Sequence, residues 1–134
     1  MGDTLYKRGM YIMKKIVPVL ISVLISGLVQ AQEVTKEQWV SAMKIVLPAA
    51  MCQSAEFFRQ CYKVSAVECE EVASSTTRTC LNNLDAKMPS KLVLPEDGAF
   101  WGDKVGQCAG VAYSTVVQEK FANNEKCLNS GKWK

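Results

Sequence analysis

The sequence predicts an all-α fold, a small disulfide-stapled bundle of about four helices after an N-terminal signal peptide, and three observations predict it. Six cysteines fall between residues 52 and 127 of a 134-residue chain. Apolar residues recur at three- and four-residue steps behind recognisable helix starts. No convincing alternation of apolar and polar residues marks a strand, and the length suits a single domain.

The N-terminal segment reads as targeting. Lys14 and Lys15 precede the apolar run Ile16 to Val29, which gives way to Gln30 and Ala31. A charged start, a short apolar centre and a small residue at the cut describe a signal peptide cleaved after Ala31. Its fourteen-residue core falls short of the ~20 apolar residues that a spanning helix needs. Residues 1–12 form an upstream extension to Met13, and Gln32 at the new terminus offers no thiol for a lipid. The expected organisation is therefore residues 1–31 as extension plus signal peptide and residues 32–134 as one helical domain, periplasmic or secreted from a bacterium, with no stable membrane anchor after cleavage.

Cleavage changes the electrostatics. The formal charge of +3 resides in the leader, which removes Lys7, Arg8, Lys14 and Lys15 together with Asp3 and leaves twelve basic and twelve acidic residues. A neutral domain without a basic run has no electrostatic reason to bind nucleic acid.

The elements follow in order. Thr35-Lys36-Glu37-Gln38 has the form of a capping box and should start the first helix. Trp39, Val40, Met43, Val46 and Leu47 give it one buried stripe, which ends or kinks near Pro48. Ser54 can cap a short helix carrying Phe57, Phe58, Cys61 and Tyr62, aromatics that read as core. Ser65-Ala66-Val67-Glu68 opens a longer helix to Met88, with a bend expected at the poor helix formers Ser74 to Thr77. Pro89 and Pro95 bracket a predicted loop, and a last helix spans roughly Glu96 to Phe121 before an irregular tail.

That last helix carries glycines at every fourth position: Gly98, Gly102, Gly106 and Gly110. Each interior glycine costs about 0.8–1 kcal/mol against alanine. The expected compensation is close approach of a neighbouring helix along the ridge they form. On that reading Gly106→Leu should lower the melting temperature sharply.

Six cysteines in an exported chain read as three disulfides. Cys69 and Cys80 lie eleven residues apart on one helix, too far to bond each other. If the short helix folds back on the long one, Cys61 meets Cys69, Cys52 meets Cys80, and Cys108 pins the tail through Cys127. Fifteen pairings are possible in principle.

The chemistry is limited from the outset. There is no histidine, hence no Ser-His-Asp or Cys-His group and no histidine-held metal. Neither cofactor nor metal is expected. Glu68, Glu70 and Glu71, with Glu96, Asp97 and Asp103, are the carboxylates of a conceivable hydrolase, but acidic residues are ordinary at helix N-termini. Trp39, Trp101, Tyr113 and Trp133 are the aromatic candidates for recognition. The expectation is a non-catalytic binding protein with a protein partner, an inhibitor or immunity-type partner of an envelope enzyme, or else an accessory subunit of an envelope assembly. A small-ligand carrier would require a cavity between helices.

Overall fold

The computed structural model describes residues 31–129. The elements described all belong to one compact unit, Gln32–Lys134. The expected leader and Trp133 lie outside the described residues.

Five helices dominate: α1 (Lys36–Met51), α2 (Phe57–Gln60), α3 (Ala66–Leu84), α4 (Glu96–Val116) and α5 (Glu125–Leu128). The all-α class is what the structure shows. Local chemistry starts α1 and α3 as the sequence predicts. The Thr35 hydroxyl accepts from the Gln38 N–H while the Gln38 side chain accepts from the Thr35 N–H, a complete capping box. Ser65 accepts from Glu68 N–H at 3.1 Å, and Asn124 caps α5 by accepting from Cys127 N–H at 3.0 Å. At α2 the cap is Glu56, without a side-chain bond, and Ser54 contributes only its carbonyl, which accepts from Gln60 Nε2.

Pro48 is buried inside α1, which ends three residues beyond it at Met51, near the proline as expected. The helix α3 is continuous through Ser74–Thr77. The buried Thr76 hydroxyl donates to the carbonyls of Val72 and Ala73, so a poor helix former is satisfied within its own helix. Packing overrides propensity there.

The stretch between Pro89 and Pro95 is not a plain loop. Lys91–Leu94 forms β2, antiparallel to β1 (Gln32–Thr35), with Val34 opposite Leu92 and Glu33 opposite Val93. Leu92 is fully buried while Val93 is exposed, the alternation of a strand compressed into four residues. Across the ribbon Lys91 Nζ donates to Glu33 at 2.7 Å, and that bond and charge hold the lysine above its ordinary pKa.

The core lies where α3 packs on α4 and α1 packs on α3. Val105, Ala109, Tyr113 and Val117 form its central stripe on the α4 side, facing Cys69, Ala73, Thr77, Cys80 and Leu81 from α3. Val116, by contrast, is 64% exposed. On α4 the buried residues are therefore fourth neighbours, and they run parallel to the glycines.

All six cysteines are bonded, but none of the three expected pairs exists. The bridges are Cys52–Cys69, Cys61–Cys127 and Cys80–Cys108, with Cα separations of 5.8, 5.5 and 5.8 Å. The reason is where the helix ends fall. Cys52 terminates α1 beside the first turn of α3 and so reaches Cys69, leaving Cys80, about 16 Å farther along, to face α4. Cys61 ends α2 against the returning tail, not against α3.

Candidate functional site

The tail returns as a short antiparallel contact. Lys63 N–H donates to Lys120 C=O at 2.9 Å, Ala122 N–H to Cys61 C=O at 2.8 Å, and Tyr62 faces Phe121 in a bridge. The Cys61–Cys127 bond fastens this pairing from one end. Its effect is to gather aromatic rings that are far apart in the chain. Tyr62 and Phe121 stand 5.3 Å apart by centroid, Phe57 and Phe58 meet edge to face at 5.5 Å, and Phe58 packs on Tyr113 at 4.8 Å.

Beside these rings runs a groove of about 650 Å³. Phe57, Phe58, Tyr62 and Phe121 form one wall; Gln107, Val111, Ser114, Thr115 and Gln118 form the other, and Gly106 and Gly110 lie between. No lining residue carries a charge. The wall residues on α4 are spaced so that one face of the helix borders the groove over about three turns.

The glycine ladder thus has a different meaning from the one expected. Neighbouring helices meet it only at its two ends. A β-carbon on Gly98 would come within 2.7 Å of Leu94 and 3.6 Å of Trp39 on α1, and one on Gly110 within 3.2 Å of Phe58 on α2, whereas one on Gly102 or Gly106 would meet nothing within 4 Å. Gly106 leaves open space where a side chain would fill the groove, and Gly110 lets the Phe58 ring lie against the helix.

Other expected candidates separate. Trp39 is buried, and Trp101 is half-buried with Phe100 edge to face at 5.2 Å. Tyr113 is fully buried beneath the groove rings, and its hydroxyl has no hydrogen-bond partner among the described residues. Burial, then the Glu68 charge and Tyr62, pushes its pKa above the ordinary phenol value, against an opposing effect of Arg59.

The carboxylates are tied to structural tasks. Asp97 accepts from Val93 N–H at 2.7 Å, Asp103 accepts from Gln107 Nε2 at 2.8 Å, and Glu68 pairs with Lys120. Glu96 lies in the first turn of α4, where a negative charge is favourable. Glu70 and Glu71 are exposed on α3 beside Val67, Ser74 and Arg78. Among the described residues no three of Asp, Glu, Cys or His gather where they could hold a metal.

Sequence reasoning missed the groove because Phe57, Phe58 and Tyr62 read as core and Phe121 only as a helix end. The one available signal was the glycine spacing, which marks missing side chains without saying what lies opposite.

A compact helical domain closed by three disulfides, with bridged cysteines and an open aromatic groove, has the build of a small secreted protein. The family model described as T2SS substrate NttA matches residues 33–128, and the chain belongs to that family. The match covers the described domain almost end to end. No curated protein and no solved structure matched the chain. A family of T2SS substrates fits a small secreted protein, and three disulfides fit an oxidising compartment.

Proposed function

We propose that the protein acts after export, through the periplasm and beyond, as a non-catalytic binding protein whose binding face is the groove between α2 and α4. The observation that carries this reading is the groove itself: partly exposed aromatic rings beside a helix stripped of side chains at Gly106 and Gly110. Such concave, mainly apolar surfaces with a few polar groups are where ligands bind. Chemistry gives the reading further support, since the chain lacks histidine and its six thiols are oxidised. The contrasting reading, a carboxylate-dependent hydrolase, would rest on Asp97 and Asp103, both already engaged by neighbours.

Val111, on the groove wall and 71% exposed, is the position for a photo-crosslinking residue. The crosslinked product expected from native secretions contains a bound molecule, and its yield falls when Gly106→Leu fills the groove. A single envelope hydrolase in that product would favour the inhibitor or immunity role, and a multi-subunit complex the accessory role. Crosslinking that is absent, or indifferent to Gly106→Leu, overturns the groove as the binding face.

A further inference from the structure

The identity of the occupant is written in the chemistry of the two walls, and the argument rests on the groove being the binding face. We infer that the groove takes a small uncharged amphiphile: an apolar chain or ring joined to a head rich in hydroxyl or amide groups.

Size comes first. A volume of about 650 Å³ lies within the range of small-ligand sites, roughly 300–1,000 Å³. The walls are also unlike each other. Rings of Phe57, Phe58 and Phe121 offer one apolar side, whereas Gln107, Ser114 and Gln118 offer amides and a hydroxyl on the other. A ligand satisfying both must itself be two-sided. Gln107 is held for this purpose: its nitrogen donates to Asp103, which leaves the amide oxygen as an acceptor for a hydroxyl.

Charge then narrows the class. No lining residue is ionised. Of the nearby charged groups, Lys120 is paired with Glu68, Asp103 accepts from Gln107, and Arg59 donates through Nη1 to the Cys52 carbonyl while its buried Nε has no partner among the described residues. An ionic head placed against this wall would lose hydration and meet no opposite charge among the lining residues. A hydroxyl-bearing head exchanges water for amides at little loss. Complementarity therefore favours the neutral molecule.

The test uses three probes with the same eight-carbon chain and different heads: n-octyl-β-D-glucoside, octanoate and octylammonium, each below its micelle concentration. They are titrated by NMR into the disulfide-intact secreted protein. The glucoside should shift the amides of Gly106 and Gly110 and bind at least tenfold more tightly than either ion. Gly106→Leu should weaken it at least tenfold with no loss of melting temperature, while Gly102→Ala, outside the lining, should leave it unchanged. Equal binding of the three heads in the groove overturns the neutral-ligand inference and spares the binding face. Failure of all three to perturb the groove, or indifference to Gly106→Leu, overturns both.

Discussion

Phe58 lies so close to Gly110 that a β-carbon on the glycine would come within 3.2 Å of the ring edge. One ring thereby occupies the place of a missing side chain, and one turn earlier Gly106 leaves the same place open. The contrast between these two glycines generates the first prediction.

Gly106→Leu and Gly102→Ala should each raise stability, by about 0.5–1 kcal/mol, because a better helix former is introduced where nothing is displaced. Gly110→Ala should gain less or nothing, since the Phe58 ring must shift by a few tenths of an ångström to admit a methyl group. Thermal melts of the three variants check the order. A sharp drop for Gly106→Leu would restore the helix-packing reading that the structure replaces.

The disulfides should be unequal. Cys61–Cys127 closes 66 residues of chain and Cys52–Cys69 only 17. Restriction of the unfolded chain grows with loop length, so replacing the first pair by serine should cost about 4 kcal/mol and the second about 3 kcal/mol. Denaturant titration of the two double variants gives the order, and non-reducing peptide mapping gives the pairing directly.

Tyr113 makes stability fall in alkali. Its pKa is raised in the folded state, so above pH 10 the folded chain keeps a proton that the unfolded chain has released. This contribution is intact below pH 10 and is lost as pH rises through the raised value. Tyr113→Phe should flatten that part of the profile. It should also add up to about 1 kcal/mol at neutral pH, because the buried hydroxyl has no partner among the described residues. Urea melts between pH 7 and pH 11 test both effects together.

Asp97 is a structural group on this geometry. Its carboxylate accepts from Val93 N–H at 2.7 Å and joins the end of β2 to the first turn of α4. Asp97→Ala should therefore lower stability by about 1 kcal/mol. A hydrolytic carboxylate would behave differently: its loss would abolish an activity and leave the melting temperature where it was.

How much of this was legible in the sequence depends on how far each feature reaches. Thr35 with Gln38 and Ser65 with Glu68 are three residues apart, and their caps were readable because the whole interaction is local. The oxidised state of the cysteines was readable from their number and the leader. Their pairing was not, because it depends on which helix end meets which: Cys52 takes the Cys69 expected for Cys61, and Cys61 takes the Cys127 expected for Cys108 when the tail returns along Tyr62. The ribbon escaped notice because β2 has four residues and its mate β1 lies at the proposed cleavage point. For the groove, half the information was visible in Gly106 and Gly110. The rest is carried by Phe58 and Phe121, whose convergence is tertiary.

The linkage of Cys61 to Cys127 also sets a schedule for maturation. Its second sulfur comes 66 residues after the first, with Cys69, Cys80 and Cys108 in between, so in a polypeptide emerging in stages Cys61 must pass over three earlier-arriving thiols. Correct oxidation must wait for the segment that carries Cys127, and a product lacking it would be left with a reactive orphan sulfur beside an unassembled aromatic wall.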